Sequence, residues 1–275
     1  MIGLLHVLEI LLPLLYAVAL VAYGLYFVDR RSGLGRWSTP LLWATVAAHI
    51  AYSVLRGLEF EHHPMASVYE VLSIVAFSLA FVYLIIELWR RNRSTGAFVL
   101  PFVVGVQLAA SIGMGPTRQI DPLLRSGMFG LHTGTVALGY AALFLSAVYA
   151  VMYLLLHRAL RRKQFGRVFD RLPSLSVLAR MNRGAALVGV VFLGVAIGVG
   201  IWWAADEIPR FWDEPRVWTT VAVWAVFALA AACHYVLRWP ARRVAVISLA
   251  GFVLLVAATL SVNALPASWH RFGVG

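Results

Sequence analysis

Eight apolar runs, each long enough to cross a bilayer, constrain this chain more than any other feature. They extend from Leu4 to Phe27, Pro40 to Leu58, Val68 to Trp89, Ala97 to Met114, Phe129 to Leu156, Ala185 to Ala205, Val217 to Leu237 and Val244 to Leu265. A helix needs about 20 predominantly apolar residues to span the hydrocarbon layer. In lipid each backbone N–H and C=O must be satisfied within the segment, so runs of this length are helices and not strands. The composition agrees: 61% of residues are hydrophobic and 13% charged, against about a quarter charged in a soluble domain. The expectation is an all-α fold, a bundle of eight transmembrane helices making one membrane domain over residues 1–275. The first run starts almost at Met1 with no basic leader segment and no small-residue cleavage site, and reads as a retained helix.

A net charge of +11 could suggest nucleic acid. The distribution of that charge argues otherwise. Of 23 Lys and Arg, 17 fall in alternate loops, at 30–36, 90–93, 158–183 and 238–243, and only 6 in the others (Arg56, Arg118, Arg125, Arg210, Arg216 and Arg271). Cytoplasmic loops are enriched in Lys and Arg, so the first set belongs in the cytoplasm. Both termini are then external, and the partner implied by the charge is the lipid bilayer of the cell's inner (plasma) membrane, with no nucleic acid. The segment from His157 to Arg183 is expected to lie along the headgroups. A single cysteine, Cys233, excludes an internal disulfide, a CxxC redox pair, a self-contained thiolate zinc site and covalent CxxCH haem attachment to this chain.

The outward loops are short but chemically rich. Glu59-Phe60-Glu61-His62-His63-Pro64 follows the second run, Asp206 to Trp218 joins the sixth and seventh, and the tail contains Ser268-Trp269-His270-Arg271. His132, at the start of the fifth run, and His270 fall at the same outer boundary. Two imidazoles at one depth on different helices can ligate one iron from opposite faces of a macrocycle. The plainer reading of each is a histidine in the headgroup zone. Trp202, Trp203, Phe211, Trp212, Trp218 and Trp224 gather around the second of these loops, as an aromatic belt would. A belt does not account for Asp206, Asp213, Arg210 and Arg216 among them. A flat apolar ligand with two carboxylates suits that mixture, with indole faces for the ring and guanidinium groups for the acids.

Three more residues stand out inside the runs. His49 lies nine residues from the inner end of the second run, about 14 Å deep at 1.5 Å per residue. His234 lies near the inner end of the seventh. Ionisable groups within a membrane are costly and become functional candidates; an interhelical hydrogen bond is the alternative for both. Glu70, just inside the third run, is a buried carboxylate that could pair with Arg56 or a histidine, or serve as an acid at a helix N-terminus.

These segments resemble the cytochrome c assembly proteins of the CcsA/CcmC type, including the shorter HemX-like members. Pro64-Met65-Ala66-Ser67-Val68-Tyr69-Glu70 is similar to that family's PxxNLYE. Leu131-His132 followed by Tyr140 resembles its LHV-x6-SY. Gly200-Ile201-Trp202-Trp203-Ala204 resembles GAxWA, and Asn263 to Gly273 resembles NLLxxGLHSYG. The tryptophan-rich signature WGxxWxWDPKE has a shortened counterpart in 208–216, lacking two tryptophans but keeping Trp212-Asp213, with Trp218 in place. His234 lies 21 residues after Asp213, where the family spacing is about 18.

The resemblance implies a non-covalently bound, b-type haem. His132 and His270 would be its external axial ligands, beneath Trp202, Trp203, Trp212, Asp213 and Trp218, with Arg210 and Arg216 near its propionates. His49 and His234 would form an inner, membrane-embedded ligand pair. The implied work is haem transport and presentation for attachment to apocytochrome c, with the chain as a subunit of a haem-attachment (haem lyase) system. A membrane partner with an external domain and a thiol-reducing protein would complete it. Two other readings stay open at this point. One is a HemX-like haem sensor or regulator of haem synthesis that attaches nothing. The other is a small-molecule transporter, in which the histidines line a path.

Overall fold

The computed structural model describes residues 2–115, 125–163, 166, 171–207, 211–213 and 215–264, the side chains of 204–207, 216, 233–236 and 259–264 excepted. Among these residues all regular structure is helical. The helices are α1 Ile2–Val28, α2 Ser38–Phe60, α3 Val68–Arg90, α4 Gly96–Gly113, α5 Gly127–Arg161, α6 Leu175–Glu207, α7 Pro215–Leu237 and α8 Ala241–Ala264, with short 3₁₀ turns at Leu34–Trp37 and Phe211–Asp213. The protein is a multi-pass membrane protein. Among the described residues seven helices are long and apolar enough to cross a bilayer; in α7 the described apolar stretch is Val217–Ala232, short of the roughly 20 residues a crossing needs.

Helix boundaries follow local chemistry. Ser67 caps α3 by accepting from the Glu70 backbone N–H at 3.2 Å, while the Glu70 carboxylate accepts from the Ser67 N–H, also at 3.2 Å. Two otherwise orphaned donors are thereby satisfied reciprocally. α2 stops where Glu61 enters the left-handed region at φ 54°, a conformation that cannot propagate a right-handed helix. The basic segment between the fifth and sixth runs carries helix at both ends. α5 runs on to Arg161 and α6 begins at Leu175, ten residues before the apolar run itself. Polar residues can extend a helix beyond the lipid because its backbone bonds are internal.

The chain packs as two compact units, Met1–Gly130 with Phe165–Pro173, and Leu131–Gln164 with Ser174–Gly275. In the first, contacts between successive helices run in opposite directions along the chain: Tyr52 and Arg56 of α2 meet Glu9 of α1, while His49 meets Tyr16. Likewise Arg56 meets Glu70 of α3 and Thr39 meets Glu87. These pairs make α1, α2 and α3 antiparallel neighbours. Their interior is unusual for its polarity. Glu9, His49, Arg56, Glu70, Ser73, Glu87 and Gln107 are all buried, whereas Ile10, Val54 and Ile112 lie on the outside. Lipid, unlike water, does not reward burying aliphatic side chains, so hydrogen bonds and close fit hold such helices together.

Close fit is plainest in the second unit. A Cβ at Gly139 of α5 would lie 3.1 Å from the Leu193 backbone nitrogen, and one at Gly189 of α6 would lie 2.4 Å from a Leu143 methyl carbon. Asn182 donates to the Ser146 carbonyl at 2.8 Å and to its hydroxyl at 2.9 Å. Residue pairs 139/193, 143/189 and 146/182 therefore set α5 against α6 in antiparallel register, with backbones brought together by small residues. Leu143, Leu193, Phe227 and Leu255, one from each of α5 to α8, form the shared core.

Candidate functional site

His132 sits in the second turn of α5. Its Nδ1 lies 3.0 Å from the Ala196 carbonyl oxygen of α6. A carbonyl can only accept, so Nδ1 carries the proton and donates. In a neutral imidazole the lone pair is then on Nε2. The ring reaches that carbonyl because Gly200, one turn further along α6, has no side chain: a Cβ there would stand 2.9 Å from Cε1 and 3.0 Å from Nδ1. Metal-ligating histidines commonly hold their second nitrogen this way, which fixes both tautomer and ring direction.

The tryptophan segment lies in the same unit. Phe211 is buried and anchors the Phe211–Asp213 turn, while Trp212 and Trp218 are half-exposed. The Trp218 indole N–H donates to the Trp212 carbonyl at 2.8 Å, and the two indoles lie 6.0 Å apart, inclined at 42°. Phe211 and Trp212 meet edge to face at 5.1 Å. The loop thus displays two adjoining aromatic faces over a buried phenyl foot, with the exposed Asp213 carboxylate beside them. Trp202 is 71% exposed, Trp203 is partly buried, and neither belongs to that pair. Trp224 is a core residue instead. Its indole N–H donates to the Val190 carbonyl of α6 at 2.9 Å, and the partly buried ring packs against the shared core. His270 and Arg210, and the side chains of Arg216 and His234, fall outside the described residues.

The other two candidates lie in the first unit, in separate polar clusters. His49 is fully buried; Nδ1 is 3.1 Å from the Tyr16 hydroxyl and Nε2 is 3.0 Å from that of Ser73. Ser73 in turn donates to Gln107 at 3.2 Å. Both ring nitrogens are thus engaged, and His49 ties α1, α2 and α3 together in this packing. Glu70 pairs with Arg56 at 2.7 Å while capping α3, so the two readings of that residue hold together. Arg56 also donates to Glu9 at 3.0 Å and to the Gly115 carbonyl at 2.8 Å. His62 donates from Nδ1 to the His63 carbonyl at 2.7 Å, and its Nε2 lies 3.9 Å from Glu70.

Sequence reasoning passed over Glu9, Glu87 and the two tyrosines around the latter. Glu87 is buried and accepts from Tyr23, Tyr83 and Thr39 at 2.5, 2.7 and 2.5 Å. A carboxylate inside each of two apolar runs was the available signal, since such groups are rarely without purpose in lipid.

A family model described as cytochrome C assembly protein matches residues 11–270. Relatives carry the same name, cytochrome c biogenesis protein CcsA. One from Heterosigma akashiwo is 25% identical over 258 residues, covering 81% of this chain and 80% of its own. One from Microcystis aeruginosa is 24% identical, with 88% of each chain covered. One from Parasynechococcus marenigrum is 27% identical, covering 80% of this chain and 81% of its own.

Proposed function

The chain belongs to the cytochrome C assembly protein family, and on that premise we propose that it holds a b-type haem through His132 and presents it for attachment to c-type cytochromes. Its work lies in the maturation of those cytochromes. The observation that carries the proposal is the seat of His132. Nδ1 donates to the Ala196 carbonyl, so the free lone pair on Nε2 is the one an iron would need. The residues present fit the group. His132 and His270 would hold the iron, while the adjoining faces of Trp212 and Trp218 would offer a surface for a macrocycle. Arg210 and Arg216 lie in the same stretch of sequence and carry the charge that propionates require.

Bound there, the group supplies an iron to be ligated and vinyl edges that a cytochrome's thiols attack. The chain's own residues bind, orient and shield. Helix α5 and the Ala196 carbonyl hold the imidazole at a set angle, and a ligand on rigid helices is placed more precisely than one on a loop. With one cysteine, Cys233, the chain cannot reduce a CxxCH disulfide by its own dithiol. That task falls to a thiol-reducing protein, and docking of the apocytochrome to a membrane partner with an external domain. Eight crossings, with both termini and the Trp212 loop outside the plasma membrane, complete this reading. His49 would ligate iron only if it released Tyr16 or Ser73.

The test is spectroscopic. Protein purified in mild detergent and supplied with haem should give the sharp bands of a low-spin, bis-imidazole complex. His132→Gly should turn the spectrum toward high spin, and added imidazole should return it by filling the vacated position. A His132→Gly variant whose haem spectrum and affinity match the parent's would refute the assignment, as would a parent protein that takes up no haem.

A further inference from the structure

We propose that Gly200 is the positioning residue for His132, exposing one backbone carbonyl so that the ring can be held in its ligating tautomer; this rests on the reading of His132 as a haem ligand. In an α-helix a side chain leans back toward the N-terminus and covers the turn before it. The carbonyl of residue 196 therefore lies under whatever residue 200 carries. With glycine there it is bare, and the His132 Nδ1–H reaches it at 3.0 Å as a second donor from a neighbouring helix. A Cβ at 200 would stand 2.9 Å from the ring's Cε1, 3.0 Å from Nδ1 and 3.9 Å from Nε2. The ring and an alanine methyl cannot both occupy that space.

α6 uses the same device a second time. The Trp224 indole N–H donates to the Val190 carbonyl at 2.9 Å, and a Cβ at Gly194, again four residues on, would lie 3.1 Å from that nitrogen. At Trp224 the result is structural, because the ring packs against the shared core. At His132 one ring nitrogen has no hydrogen bond among the described residues, and the same geometry decides which nitrogen that is. Gly198 lies in the same helix between Ala196 and Gly200, and a Cβ there meets nothing within 4 Å. It supplies the control.

An alanine at 200 presses on a side chain and not on backbone, so the conflict is relieved by the ring leaving its acceptor. The helix itself gains from Gly→Ala by roughly 0.5–1 kcal/mol. Loss of the outer partner of a metal-ligating histidine costs about 10- to 100-fold in affinity. Gly200→Ala should therefore bind haem about 10- to 100-fold more weakly than the parent and lose low-spin character, with thermal stability undiminished. Gly198→Ala should bind as the parent does. In the haem-free protein, ¹⁵N shifts of His132 should report an Nδ1-protonated ring in the parent and a shift away from that tautomer in Gly200→Ala.

The two claims separate cleanly. A tautomer change in Gly200→Ala with haem binding intact would leave Gly200 positioning the ring but refute the ligand reading. Haem binding lost in His132→Gly but unchanged in Gly200→Ala, with the parent's tautomer, would overturn the inference. Were Gly200→Ala to misfold, the double variant Gly200→Ala/His132→Ala would decide. It should fold, because the ring is gone, and failure to fold would put the conflict elsewhere and overturn the proposal.

Discussion

Arg56→Met should be among the most damaging single substitutions in the first unit. The guanidinium is 1% exposed and donates to Glu70 at 2.7 Å, Glu9 at 3.0 Å and the Gly115 carbonyl at 2.8 Å. Methionine fills similar length but donates nothing. The Glu70 side chain is 0% exposed and that of Glu9 11%, so the substitution removes the buried guanidinium that both carboxylates share. Removing one partner of a buried pair costs about 3–5 kcal/mol. At 1.4 kcal/mol per tenfold, that is roughly two to three and a half powers of ten in the unfolding equilibrium. The assay is unfolding in mixed micelles by stepwise addition of a denaturing detergent, followed by tryptophan fluorescence. Adding Glu70→Gln to Arg56→Met removes one of the two carboxylate charges that faced the guanidinium. Glutamine still serves at the third position of a capping box, so the double variant should regain stability, with a coupling of about 0.5–3 kcal/mol. If Arg56→Met unfolds within roughly half a kcal/mol of the parent, or if the second substitution makes matters worse, the cluster is not held by charge pairing.

Two further outcomes are expected. Around Glu87, Tyr23→Phe should cost about 1 kcal/mol, one hydrogen bond's net worth, whereas Glu87→Leu removes the acceptor of three hydroxyl groups and should cost several times more; equal losses in the same unfolding assay would show that the carboxylate is not the hub. For orientation, in a Cys233→Ala background an impermeant thiol reagent applied to intact cells should label Pro215→Cys beside the tryptophan turn and spare Ser174→Cys at the start of α6. The reverse pattern would overturn the charge-derived map and the external haem site with it.

Much of the helical architecture was legible because the rules behind it are short-ranged. A long apolar run must be a helix in lipid whatever surrounds it. Ser67 and Glu70, three residues apart, could be read as a cap from spacing alone. The Glu70–Arg56 pairing was also within reach, since each charge needs a partner and few are present. Extents were harder. The ten-residue extension of α6 ahead of its apolar run is invisible to hydropathy, because polar helix and polar loop are equally content in water. Trp224 was grouped with the loop by composition, but an indole's partner depends on which helix faces it.

The sequence by itself determined the solvent, the helical class, the side chains able to ligate iron and the family to which they belong. Each of these follows from local composition or from a short motif. Only the tertiary structure decided what the rings and charges do. His49 is held at both nitrogens by α1 and α3, while His132 is held at one by the carbonyl that Gly200 leaves bare. Both are histidines within apolar runs, one at mid-run and one at a boundary, and nothing local says which of their nitrogens are engaged. The difference is which backbone and hydroxyl groups neighbouring helices bring within 3 Å or so, a matter of antiparallel register between segments tens of residues apart, and hydrogen bonds, being short and directional, are satisfied or left open by that register alone.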